Sequence, residues 1–209
     1  MIKELINKKK LVIFDLDGVL INSKTNMNIS WNYAAYRSKL NISFKSYFKL
    51  IGFPFHVILK KLKIDQKKYS YKKIHQDFSQ YSIKHINKIK LYNNVKQTLK
   101  KIKSKKKIIA ILTSKDCIRC KKILKKFNFY FNHIECGNFK KKGKPNPYQL
   151  NLILKKFRVL RKEAVYIGDM IPDYLTANNA KIDFIYANYG YGKFNIKNNY
   201  KINKIEQLV

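Results

Sequence analysis

Two short apolar runs in this chain stop abruptly at pairs of aspartates: Val12-Ile-Phe-Asp-Leu-Asp-Gly-Val-Leu20 and Val165-Tyr-Ile-Gly-Asp-Met-Ile-Pro-Asp173. Acid is scarce here, with 12 Asp and Glu against 46 Lys and Arg. A third of it therefore sits at Asp15, Asp17, Asp169 and Asp173, each at the end of a hydrophobic stretch. Short β-branched and aromatic runs of this kind read as buried strands. Parallel strands bring their carboxyl ends to one edge of a sheet, where α/β proteins place their ligands. Carboxylates gathered at such an edge require a cation, and Mg²⁺ suits hard oxygen donors.

The rest of the chain extends this pattern. Ile108 to Thr113 reads as a second buried strand, Phe131 to Cys136 as a weaker one, Ala164 to Gly168 as a fourth and Phe184 to Ala187 as a fifth. Between them the apolar spacing predicts helices over Val95–Ser104, 116–127, Pro147–Phe157 and Tyr174–Ala180. Alternating strands and helices imply an α/β fold, a Rossmann-like doubly wound parallel sheet. Residues from about 24 to 90 differ. They are rich in Lys, Tyr, Phe and Ile at helical spacing and carry one break, Ile51-Gly-Phe-Pro-Phe55. They read as a small all-helical insert after the first strand. The expected division is 1–22 with 91–209 for the α/β part and 23–90 for the insert. Leu91-Tyr-Asn-Asn94 reads as the turn that returns the chain to the sheet.

Composition narrows the possible functions. With 45% apolar residues in 209, the chain is globular and can bury a substantial core. No apolar run approaches the roughly 18–20 residues that span a bilayer. The run after the basic start, Leu11 to Phe14, is too short for a signal-peptide core, so a cytoplasmic protein without a membrane partner is expected. The formal charge of +34 points first to nucleic acid or an anionic membrane. Its make-up argues against nucleic acid. Only Arg37, Arg119, Arg158 and Arg161 are arginines, and lysines run from end to end. Nucleic-acid sites recruit Arg for bidentate contacts. Abundant Lys, Asn, Ile, Tyr and Phe is what AT-rich codons encode. Such a field still attracts small anions, phosphate esters among them.

The candidate site follows from spacing. Asp15 and Asp17 are two apart, so an extended strand end points both the same way. One carboxylate can attack phosphorus while the other serves as acid, then base. Gly18 lets the backbone turn tightly and offers an N–H to an anionic oxygen. Thr113 and Ser114 bring hydroxyls to the end of the second strand, and Lys144 brings a positive charge to the mouth of a helix. Lys141 and Lys142 are its rivals. Asp169 can ligate Mg²⁺, and Asp173 can ligate it or hold a bound water. Cys117, Cys120, His133 and Cys136 have spacing compatible with a Cys₃His zinc site, but a helix start at Cys117 and Cys120 and a strand at Cys136 are the stronger reading. The odd number of cysteines argues against structural disulfides.

As a set, FDLDGVLINS, ILTS, KGKPNP and YIGDMIPD resemble the four motifs of the haloacid dehalogenase superfamily of hydrolases, in order, over residues 11 to 192. The insert resembles that family's helical cap. IGFPFHVILKKLKI, LYNNVKQTLKKIKSKKKIIAILTSKD and YGYG resemble its phosphoglycolate phosphatase-like branch. The resemblance implies an Asp15 nucleophile that forms an aspartyl-phosphate, an Asp17 acid/base, and Thr113 and Lys144 on the phosphoryl group. It also implies Mg²⁺ held by Asp15, the Asp17 carbonyl, Asp169 and Asp173. An aspartate at position 17 favours phosphoryl transfer over carbon–halogen cleavage. Cap residues Phe53 and His56 are expected at the substrate, a small phosphorylated metabolite of the phosphoglycolate or sugar phosphate class. A β-phosphoglucomutase-like isomerase, and a basic nucleic-acid-binding protein on the same scaffold, are the alternatives. Asn93-Asn94, Ser114 and Lys181 depart from the family pattern, which has Pro-Gly, asparagine and glycine there. The association state is left between monomer and homodimer.

Overall fold

A computed structural model describes residues 1–127, 131–138, 142–195 and 200–209. The chain opens with α1 (Ile2–Asn7), β1 (Leu11–Phe14) and β2 (Ile21–Asn22). Four helices follow: α2 (Lys24–Arg37), α3 (Phe44–Phe48), α4 (Phe55–Lys61) and α5 (Tyr71–Lys84). Next come β3 (Lys90–Leu91), α6 (Val95–Ser104), β4 (Ile108–Asp116), α7 (Cys117–Phe127), β5 (His133–Gly137) and α8 (Tyr148–Phe157). The chain closes with β6 (Ala164–Gly168), α9 (Ile171–Asn179), β7 (Asp183–Ala187) and β8 (Lys201–Ile202).

Six strands form one sheet in the order β5-β4-β1-β6-β7-β8, and each neighbouring pair is parallel. β1, the strand that leads into Asp15, lies between β4 and β6. Period-two alternation sorts its side chains. Val12 and Phe14 join Ile109, Ile111, Val165 and Ile167 in a core against α1, α6 and α7. Leu11 and Ile13 join Ala110, Leu112, Ala164 and Tyr166 in a second core against α8 and α9. Helices on both faces make the sheet the doubly wound, Rossmann-like α/β fold expected from the sequence.

A third core belongs to the helical segment. Trp31, Tyr47, Phe55, Leu59, Ile74 and Phe78 are buried against one another, with the Trp31 and Tyr47 rings stacked at 4.4 Å. Trp31 Nε1 donates to the Ile42 carbonyl at 2.9 Å, so its one polar atom is satisfied inside the apolar cluster. The segment leaves and rejoins the sheet through β2 and β3, which pair antiparallel as Ile21↔Leu91 and Asn22↔Lys90.

Several boundaries differ from the expected ones. The sequence reads Leu91–Asn94 as a turn only, because two-residue strands carry no periodicity. α1 and β8 are too short to be read for the same reason. β4 runs on to Asp116 through a register shift after Leu112, which places Lys115 and Asp116 beyond Thr113 on the same strand. α9 starts three residues early, at Ile171. Pro172 sits in its first turn, and the Asp173 side chain accepts the Met170 N–H. Asn94 and Lys181 both adopt left-handed backbone, with φ of 60° and 55°. Asparagine tolerates that region, whereas lysine occupies it at the cost of its Cβ.

Candidate active site

Asp15 directly follows β1 in the odd register that faces α8 and α9, and its backbone N–H donates to the Ile167 carbonyl. Lys144 comes in from the loop before α8. Its Nζ donates to Asp15 Oδ1 at 2.7 Å and to Asp173 Oδ1 at 2.6 Å. Tyr166, on the same face of β6, donates its hydroxyl to Asp173 Oδ1 at 2.8 Å. The other Asp173 oxygen accepts the Asp169 and Met170 N–H groups. Asp173 thus caps α9 and aims Lys144. Asp15, Asp169, Asp173 and Lys144 are all buried.

Three buried acids face one lysine. Burial pushes Asp15 up to about 7; Lys144 opposes the shift, and the Asp173 and Asp17 charges add to it. Burial also holds Asp169 well above the usual carboxylate range, reinforced by Asp173 and Asp15. Burial alone would depress Lys144, but the Asp15 and Asp173 carboxylates hold it above its ordinary value.

The donor set fits a small divalent cation. One ligand oxygen from each of Asp15, Asp169 and Asp173 falls within 4.8 Å of the others. Two oxygens on opposite sides of Mg²⁺ stand about 4.2 Å apart, twice the usual Mg–O distance. Asp169 Oδ1 is sealed from solvent with no hydrogen-bond partner, while Oδ2 accepts the Tyr191 N–H at 2.7 Å. An orphaned, buried carboxylate oxygen is costly unless a cation meets it. The chain also makes room there: a Cβ on Gly18 (φ +83°) would overlap the Asp169 carboxylate.

Asp17 is turned elsewhere. Its carboxylate accepts the Ser23 hydroxyl and lies 3.0 Å from Lys115 Nζ, and it is not one of the three converging acids. Asp15, Asp17, Thr113, Ser114 and Phe53 line one cavity between the sheet edge and the helical segment. His56 does not. It lines a neighbouring cleft with His75 and Asp116. The Gly18 N–H donates to the Ile21 carbonyl at 2.8 Å, so what the glycine offers the site is space. Ser114 Oγ donates to the Gly52 carbonyl at 2.6 Å, which ties β4 to the Ile51–Phe55 break. Lys141 lies outside the described residues, and Lys142 is exposed.

The cysteine set is split by the sheet. His133 shares a face of β5 with Glu135, its Nε2 3.3 Å from Oε2, and its ring meets Phe157 at the end of α8. Cys136 faces the other way, into the core with Cys120 of α7. Opposite faces of one strand cannot close a tetrahedral site. Among the described residues, the aspartate triad is the grouping of His, Cys, Asp and Glu tight enough for one ion.

Sequence reasoning missed Lys115, Arg119, Tyr166 and Tyr191 at the site. Tyr191 donates its N–H to Asp169, accepts the Ser23 N–H at its hydroxyl (2.6 Å), and packs its ring on Phe48 of α3 at 5.3 Å. The signals were present but faint. Tyr191 lies in the YGYG phrase, and Arg119 is one of only four arginines.

The haloacid dehalogenase-like hydrolase family model matches residues 12–187. A phosphoglycolate phosphatase of Mannheimia succiniciproducens is 28% identical over 194 residues, covering 87% of this chain and 87% of that protein. One from Haemophilus influenzae gives the same identity and coverage. A crystal structure described as a predicted phosphoglycolate phosphatase from Haemophilus somnus superposes with a TM-score of 0.81 at 25% identity, covering 96% of each chain. The chain belongs to the haloacid dehalogenase-like hydrolases. Among its described residues no helix is long and apolar enough to cross a membrane.

Proposed function

We propose that this hydrolase is a Mg²⁺-dependent phosphatase acting on a small phosphomonoester of the phosphoglycolate or sugar phosphate class. The observation that carries this reading is the Lys144 bridge between Asp15 and Asp173, beside the orphaned Asp169 oxygen. Asp15 is the nucleophile, and its attack on phosphorus gives an aspartyl-phosphate. Asp17 gives a proton to the leaving oxygen and later takes one from water. Lys144 and Thr113 hold the phosphoryl oxygens, Lys144 supplying charge fixed in advance by Asp173. Asp15, Asp169 and the Asp17 carbonyl hold the ion, with Asp173 behind them. When bound, Mg²⁺ neutralises the acids and draws charge from the phosphoryl oxygens. We further propose that residues 23–90 act as a cap over the α/β part formed by 1–22 and 91–209. A separate aromatic core and the paired β2 and β3 connections support that division.

The test is phosphate release from p-nitrophenyl phosphate, phosphoglycolate, sugar phosphates and nucleotides, with Mg²⁺ and with chelator. Release should need the ion. Asp15→Asn should lower it by at least about 10⁴-fold, and Asp17→Asn by about 10²–10⁴-fold. Product analysis with β-glucose 1-phosphate distinguishes hydrolysis from isomerisation. A folded, Mg²⁺-loaded protein inert toward the whole panel would sink the proposal.

A further inference from the structure

The cavity that holds Asp15 contains a cation for which the phosphatase reading has no task. Arg119, in the first turn of α7, lines it and is only 5% exposed. Its backbone N–H donates to Asp116 Oδ1 at 2.9 Å and its Nε to Asp116 Oδ2. The Phe78 ring lies 4.8 Å from the guanidinium carbon. One edge of the guanidinium is therefore paired and one face stacked. The two terminal amino groups meet no acceptor among the described residues. They are also not sealed off: among the described residues, the buried side-chain atoms left closed and unpartnered are Thr98 Oγ1 and Asp169 Oδ1. The Arg119 amino groups thus open on the cavity.

Tyr47 lines the same cavity at 4% exposure, held between Trp31 (4.4 Å) and Phe78 (5.7 Å). Its hydroxyl likewise makes no hydrogen bond among the described residues. Lys115, also buried on this wall, is paired with Asp17. Beyond the reacting groups, the charged lining is cationic and the Tyr47 hydroxyl adds a donor, while Ser114, its proton given to the Gly52 carbonyl, offers one acceptor. The side chains that remain, Phe53, Phe55 and Met170 among them, are apolar.

A desolvated guanidinium with a free amino edge is matched by a planar carboxylate, which takes two parallel N–H bonds. Low dielectric strengthens that contact. A sugar is a poorer fit, because its hydroxyls also need acceptors and would be buried against methionine and phenylalanine.

We infer that Arg119, with the Tyr47 hydroxyl, selects the substrate of this site by binding a carboxylate at the far end of a short phosphomonoester. The inference rests on the phosphatase reading and narrows its substrate class to phosphorylated hydroxy acids rather than sugars. Its test compares kcat/KM for 2-phosphoglycolate and glucose 1-phosphate in the Mg²⁺-loaded wild type, Arg119→Lys and Tyr47→Phe, with melting curves to confirm folding. The lysine keeps the Asp116 ion pair but loses the fork. Wild type should prefer the carboxylate by about a hundredfold or more, and Arg119→Lys should lose at least about tenfold of that preference, chiefly through KM. Tyr47→Phe should lose about three- to tenfold. A second readout needs no turnover: in Asp15→Asn, 2-phosphoglycolate should bind more tightly than inorganic phosphate by calorimetry, and Arg119→Lys should erase the difference. Equal handling of both esters by the wild type, or an unchanged preference in Arg119→Lys, would overturn the inference. Failure to turn over any ester, p-nitrophenyl phosphate included, would instead strike the phosphatase reading, and the binding arm would still report on Arg119.

Discussion

At the carboxyl edge of the sheet, Asp15, Asp169, Asp173 and Lys144 are buried, and each is fixed by hydrogen bonds or an ion pair. Across the cavity, the helical segment offers Met27, Tyr47, Ile51 and Phe55, held by ring packing. The first surface is costly in charge and over-determined in geometry. The second excludes water and has few directional contacts. Chemistry that must be exact in position sits on the rigid element, while the surface that shapes access is made of adaptable apolar groups. Arg119 joins the two. It is anchored in α7 of the sheet layer and stacked on Phe78 of the helical segment.

Deleting the aromatic centre tests this contrast most severely. Trp31→Ala should cost about 3–5 kcal/mol through the cavity it leaves. If the helical segment is a unit of its own, calorimetry should show an earlier, separate transition while Mg²⁺ binding at the sheet edge survives. Loss of both together would mean that the two surfaces melt as one body.

Proton linkage sharpens the other side. Burial pushes the ion-free Asp15 up to about 7. Magnesium requires the ionised carboxylate, so loading releases that proton below pH 7. Affinity should fall by at least about tenfold for each pH unit below 7, and more steeply where Asp169, also held above the usual carboxylate range, must give up its proton too, as calorimetry from pH 5 to 8 would measure. The same shift means that the ion-free fold loses stability as pH rises from about 4, the ordinary aspartate value, towards 7. A flat affinity profile would show that the acids are already ionised before the metal arrives.

The smallest effect lies away from both surfaces. Lys181 follows α9 with φ of 55°. Lys181→Gly should relieve about 0.5–1 kcal/mol of backbone strain and raise the melting temperature by about 2 °C, leaving metal binding unchanged. A fall in melting temperature would mean that the lysine stem contributes more by packing than its backbone costs.

The strands and the acids at their ends were legible because both are local: a few apolar residues, then a carboxylate, with nothing in between to decode. Thr113 and Lys144 were legible through the family resemblance. Lys115, Arg119 and Tyr47 were not. In a chain with 46 basic residues, a lysine or arginine on a helix start reads as solvated surface. Only the register shift in β4 and the approach of α5 bury them. His56 shows the converse. It belongs to the phrase that resembles the family, yet α4 turns it toward a different cleft. The paired β2 and β3 were hidden because a two-residue strand has no pattern to read.

Tyr191 works as a strut. One end steadies the carboxylate that lacks a second partner, and the other grips the point where the helical segment departs from the sheet. A single residue thus joins the acid cluster to the root of the helical segment, with no longer relay between them.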